Sequence, residues 1–216
     1  LASNNKKSWF DAHRNDYERY LIWPAKVFTE AIGERLTAIA PGIIAEPRVN
    51  GSIFRIFRDT RFSRDKTPYK THLGIFMWEG EGRKMECPGF YFHLEPSRLL
   101  LGGGIYLFSK PLLDEFRKSV VHPKHGPDLT EVVESVPNSL NVGGRHFKRT
   151  PRGYDPDHPL AELLLHNGIT AWTEGPIPEN LHGPEIIDHC FSAFKEMVPL
   201  HLWLLKMAAR ARVAAT

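Results

Sequence analysis

Cysteine is nearly absent from this 216-residue chain, which has only Cys87 and Cys190. The two lie far apart and neither belongs to a Cys-x-x-Cys pair, which excludes a disulfide scaffold and fits a reducing compartment. A cytoplasmic location is therefore expected. Long apolar runs are also lacking. No uninterrupted stretch approaches the ~18 residues a membrane-spanning helix needs, and the most apolar segment, 197–209, contains His201 and Lys206. The first thirty residues are charged and carry no apolar core of the signal-peptide kind. Strong charge of one sign is missing as well: 28 basic against 25 acidic residues give +3, too mild to argue for nucleic acid by itself. There is no Gly-x-Ser-x-Gly elbow, no Gly-x-Gly-x-x-Gly, no Gly-Lys-Ser/Thr ending and no zinc-ligand spacing. No membrane partner, metal or cofactor is expected.

What is present reads as an ordinary globular chain, 42% hydrophobic and 25% charged. A chain of this length buries roughly 70% of its unfolded surface, so it needs no covalent staple. One α+β domain over residues 1–216 is the expectation. Apolar residues three and four apart from Trp9 to Leu21 predict an amphipathic helix. Pro24 fits the first turn of a second helix that stops at Pro41-Gly42. The period then shortens. Ser52 to Phe57, Thr71 to Trp78, Phe90 to Leu94 and Leu99 to Leu107 predict strands. The last three are too close together for parallel crossovers and predict an antiparallel meander. Helices follow over Ser109 to Val121, Asp128 to Val136 and Leu160 to Leu165. A last strand spans Ile169 to Thr173, before terminal helices Glu185 to Glu196 and Val198 to Arg212. Residues 138–158 read as a loop with one short strand. The whole is a mainly antiparallel sheet of four to six strands covered by N- and C-terminal helices.

Functional information is concentrated in residues 55–70. Six of these sixteen are basic and two acidic, a surplus of +4. Ile56, Phe57, Phe62 and Tyr69 are scattered among the charges rather than set on one stripe, and Pro68 disfavours helix at Thr67. The segment reads as a strand running into an ordered loop pinned by its aromatics. Arginine offers five fixed donors suited to carboxylate or phosphate. Two readings follow. In one, Asp59 and Asp65 close an internal brace with their basic neighbours. In the other, they orient a surplus of cations toward an anionic ligand.

The run Arg58-Asp59-Thr60-Arg61-Phe62-Ser63-Arg64-Asp65-Lys66-Thr67-Pro68-Tyr69-Lys70 resembles the signature of domain-of-unknown-function family 2461, conserved hypothetical proteins widespread in bacteria and fungi. The likeness extends to Asn4-Asn5-Lys6 with Trp9-Phe10, to Tyr91-Phe92, to Gly102–Tyr106, and to Arg149–Tyr154 with His158-Pro159. It implies one compact α+β domain and brings no activity, substrate or cofactor with it.

Other constellations are weighed against simpler readings. Arg149 and Arg152, on a loop stiffened by Pro151 and Pro156, would form a basic cleft if that loop faced segment 55–70. Asp155, Asp157 and His158 are metal-ligand types, but three such residues in a loop are common by chance. Gly102-Gly103-Gly104 suits close packing better than a phosphate cradle. Tyr91 and His93 share a strand face, and His93 with Glu95 reads as either an acid–base pair or cross-strand packing. The aromatics Trp9, Phe10, Tyr17 and Tyr20 read as a packed helix face rather than a base-stacking platform.

The expected function is binding of an anionic, phosphate-bearing small molecule or nucleotide. Its candidate ligand-binding residues are Arg55, Arg58, Arg61, Lys66, Lys70, Tyr91, His93, Arg149 and Arg152. Asp59 and Asp65 are candidate bases and Tyr69 a candidate hydroxyl, while catalysis itself stays an open question. A nucleic-acid-binding module, less favoured, and a noncatalytic scaffold braced by 55–70 are the alternatives. The oligomeric state is not legible.

Overall fold

The computed structural model describes residues 1–214. The chain opens with α1 (Lys7–Ala12), α2 (Arg14–Tyr17), a π-helical turn (Glu18–Ile22) and α3 (Trp23–Leu36). Strands β1 (Ile43–Ile44), β2 (Leu73–Glu79), β3 (Gly89–Leu94) and β4 (Leu99–Ile105) come next, then α4 (Lys110–Val121) and α5 (His125–Glu134). The second half adds β5 (Asn141–Arg145), β6 (His166–Gly175), α6 (Glu185–Glu196) and α7 (Val198–Val213). The six strands form one antiparallel sheet in the order β1-β2-β3-β4-β6-β5. The architecture is α+β, with the predicted meander at its centre.

Strand alternation decides which sheet face is core. Ile75 and Met77 of β2, Phe90 and Phe92 of β3, Leu101 and Ile105 of β4, and Ile169 and Ala171 of β6 point to one side and are buried. They pack with Ile32 and Leu36 of α3, Phe194 of α6, and Leu200, Leu204 and Met207 of α7. At roughly 1.5–3 kcal/mol for each fully buried large apolar side chain, this layer is the main favourable term in folding. A second, smaller core joins Phe10, Ile56 and Tyr69 beneath the N-terminal helices. Cys87 and Cys190 are buried free thiols, and burial pushes the Cys190 thiol up to about 12. Among the described residues no helix is long and apolar enough to cross a membrane.

Two expectations need correction. Ser52 to Phe57 is not a strand; it makes only isolated bridges, Ile53 to Ile75 and Phe57 to Tyr69. The backbone bends at Ile56, so the path does not continue as one strand; Ile53 packs in the large core and Ile56 in the small one. The two-residue β1 instead starts the sheet edge, and Ser52 and Phe54 continue it by bonding Phe76 and Gly74. At the N-terminus the helical path is nearly continuous, and a π-helical turn precedes Pro24, which has no N–H to give.

Candidate functional site

Three of the six cations of segment 55–70 are engaged within the segment. Arg61 grips Asp59 bidentately, Nε donating to Oδ1 at 3.0 Å and Nη2 to Oδ2 at 2.7 Å. Arg58 donates to the Asp65 carboxylate and the Thr67 hydroxyl. Lys66 donates to the Thr60 carbonyl at 2.8 Å. Arg61 holds the Asp59 carboxyl down to about 2; the Thr67 N–H and then Arg58 do the same for Asp65. Both acids are therefore engaged acceptors. Tyr69, a candidate hydroxyl, has its ring packed on Phe10 in the small core. Its backbone N–H and C=O are clasped by the Asn5 side chain at 3.0 and 2.9 Å. Among the described residues, the side chains of Arg55, Arg64 and Lys70 have neither an ion pair nor a hydrogen bond, though Lys70 lies over the Phe54 ring. Phe62 stands 95% exposed at the loop tip.

Arg149 and Arg152 are exposed on the loop that leaves β5, the sheet edge opposite to β1 and segment 52–54. Neighbouring Tyr154 lies in the field of Arg117 and Asp114 of α4. The two basic loops thus lead off opposite edges of the sheet. Near the same end, a cleft of about 500 Å³ runs between α4–α5 and His158–Leu160. His122 and His158, which line it, accept backbone N–H groups of Lys124 and Leu160 and so serve local turns. Among the described residues no three His, Cys, Asp or Glu side chains are grouped to hold a metal ion.

The better-built site lies on the sheet face turned away from α3, α6 and α7. Gly89, Gly102 and Gly104 floor a groove of about 570 Å³, walled by Phe54, Phe76, Tyr106 and Trp172. No α-helical residue lines it. Gly104 has φ +130°, and a Cβ there would stand 2.3 Å from the Ile169 carbonyl oxygen, so only glycine lets β4 and β6 approach this closely. The three glycines 102–104 pair in register with both β3 and β6, so their backbone is occupied by the sheet rather than open to phosphate.

Tyr91 and His93 line this groove from one face of β3, as their spacing predicts. The Tyr91 Oη lies 2.9 Å from His93 Nδ1, and His93 Nε2 lies 2.9 Å from Glu95 Oε1. Arg98 donates to the same Glu95 oxygen at 2.9 Å and to Glu174 at 2.9 Å. Arg98, and after it His93, holds the Glu95 carboxyl down to about 2. An ionised carboxylate only accepts, so His93 Nε2 donates to it. In the neutral imidazole Nδ1 is then the acceptor, and the Tyr91 O–H donates. Burial, with the Glu95 charge second, pushes the Tyr91 phenol up to about 12. His72 stacks on His93 at 4.3 Å between ring centroids; burial, then His93 and Lys70, lowers its pKa.

Lys70 and Lys84 do not line the groove themselves but lie against Phe54, which does. Their ammonium groups sit 5.3 and 4.5 Å from the Phe54 ring centroid. Lys84 also donates to the Gly51 carbonyl at 2.5 Å. Burial lowers the pKa of both, and Arg55 lowers that of Lys70 further. Of the residues anticipated from sequence, this region gathers Lys70, Tyr91 and His93, with Arg55 acting on Lys70. Sequence reasoning missed Phe54, Lys84, Trp172 and His72. The one available signal, alternation within β3, reached only its own strand. No curated protein matches this chain. Over residues 1–203 it matches the conserved hypothetical protein family DUF2461, and it belongs to that family.

Proposed function

We propose that the chain binds a phosphate-bearing small molecule, such as a nucleotide, in the glycine-floored groove. The phosphate lies toward Lys70 and Lys84, and a flat body lies along the floor between Phe54 and Trp172. The observation that carries this reading is the Lys70 ammonium: it is partly desolvated, has no carboxylate partner among the described residues, and lies over the ring of Phe54, one wall of the groove. A cation in that state gains more from an anion than a solvated one does. Concave sites with apolar walls and a few polar groups are where small ligands bind. Arg58, Arg61 and Lys66, engaged within their own loop, lend less support to a nucleic-acid surface.

Titration calorimetry with inorganic phosphate, sugar phosphates and nucleoside monophosphates tests it. Lys70→Ala is expected to weaken binding by about 1.5–3 kcal/mol, the usual worth of a hydrogen bond to a charged group. That is roughly 10- to 100-fold in Kd. Arg61→Ala and Arg152→Ala should leave the affinity where it was. Absence of binding heat with every phosphate compound, or equal losses in all three variants, would refute the site.

A further inference from the structure

The hydrogen-bonded line Tyr91–His93–Glu95 has the composition of a hydroxyl, a base and an orienting acid. It stands at the wall of the proposed groove. We propose that these three residues relay a proton and activate water to hydrolyse a phosphate ester bound there, an inference that rests on the anion-binding reading. Water gives a proton to the Tyr91 oxygen as the phenolic proton crosses to His93 Nδ1. The water oxygen bonds to phosphorus, and the ester P–O bond breaks with its electron pair on the leaving oxygen. That oxygen takes a proton from solvent, and His93 returns one to solvent through Tyr91. Tyr91 ends each step as a neutral phenol.

Each partner is held for this role. The imidazole side chain is 14% exposed and the Glu95 carboxylate 30%, so the pair is fixed yet reachable. Glu95 is in turn fixed by Arg98, which fixes the Nε2–H tautomer. A Cβ at Gly74 would come within 2.8 Å of the Tyr91 hydroxyl, so this glycine lets the hydroxyl lie over β2 on the Phe54 side. Around the imidazole stand Tyr91, Glu95 and the stacked His72, with Lys70 and Arg98 one group further out. On protonation the imidazolium is balanced by Glu95.

The test pairs turnover with binding. p-Nitrophenyl phosphate and bis-p-nitrophenyl phosphate are followed by release of nitrophenolate, with inorganic phosphate binding measured by calorimetry on the same samples. Wild type is expected to hydrolyse at least one ester. Tyr91→Phe and His93→Gln should each lower kcat about 100-fold or more, with phosphate affinity held within about twofold and Lys70→Ala acting on KM instead. Phosphate binding without turnover, or turnover indifferent to Tyr91→Phe, overturns the relay and leaves the binding site standing. Absence of phosphate binding removes the site itself. Nitrogen-15 spectra of His93 provide a check that needs no variant to fold: a proton on Nε2 is expected, and a neutral ring protonated on Nδ1 overturns the route.

Discussion

Glu79 ties three parts of the molecule together. Its Oε1 accepts the Gly42 N–H at 2.7 Å, while Oε2 lies 2.6 Å from Nε2 of His201, a fully buried residue of α7. His201 also stacks on Phe90 at 4.8 Å. Burial lowers the His201 pKa and outweighs the opposing pull of Glu79. Between that lowered value and the ordinary 6.5 the unfolded chain therefore binds more protons than the folded one. Stability rises with pH through this window and is lost as pH falls through it. His72 and His166, lowered chiefly by burial, act in the same sense. Urea midpoints should fall between pH 7.5 and 5.5, and His201→Gln should flatten that slope. His201→Ala, which empties a fully buried ring site and removes a hydrogen-bond partner of Glu79, should cost about 2–5 kcal/mol. A flat wild-type profile would contradict the assignment. The sequence offered little here, because the partners are 122 positions apart and His201 looked only like a polar residue in an apolar helix.

At the scale of elements, periodicity was a good guide wherever one face is buried and the other is not. Strands β3 and β4 and helices α4, α6 and α7 fall where alternation and cap residues put them. It misled at 52–57, where two isoleucines serve two cores, and it missed β1, too short to carry a period. Strand β4 shows what a pattern of glycines can hide. Gly102-Gly103-Gly104, read as close packing within the strand Leu99 to Leu107, also thins the open face of that central strand into a groove floor. Gly104→Ala places a side chain at a left-handed φ and against the Ile169 carbonyl. We expect a loss of at least about 2 kcal/mol from backbone strain and displaced packing, read as a lower melting temperature by circular dichroism. Gly82→Ala is the control: it shares the positive φ but meets nothing within 4 Å, and it should cost less.

For the whole molecule, stability is expected to be uneven. The large core spans the sheet and α3, α6 and α7, while the small one rests on Phe10, Ile56 and Tyr69. Around the small core, segment 55–70 is held by a few backbone bonds, Arg58 N–H to the Pro68 carbonyl and Lys70 N–H to the Ile56 carbonyl among them. Its ion pairs are surface pairs, which add little. Hydrogen exchange should therefore be about tenfold or more faster at Arg58 and Lys70 than at Phe90 and Leu101. Equal protection would mean that the segment opens only with the whole fold.

From the sequence alone come the α+β class, the meander, the family and the cation surplus at 55–70, because composition, local period and a contiguous motif need no knowledge of what is near in space. It also put Tyr91 and His93 on one face, since alternation along a strand is local. Only tertiary structure decided that Arg58 and Arg61 are occupied by Asp65 and Asp59, that Arg152 lies at the far edge, and that Lys70 is left over. It alone assembled the groove, whose walls come from Phe54, Tyr91 and Trp172. Ionic pairing and concavity are properties of distance in space, and distances between remote residues are fixed only when the sheet closes.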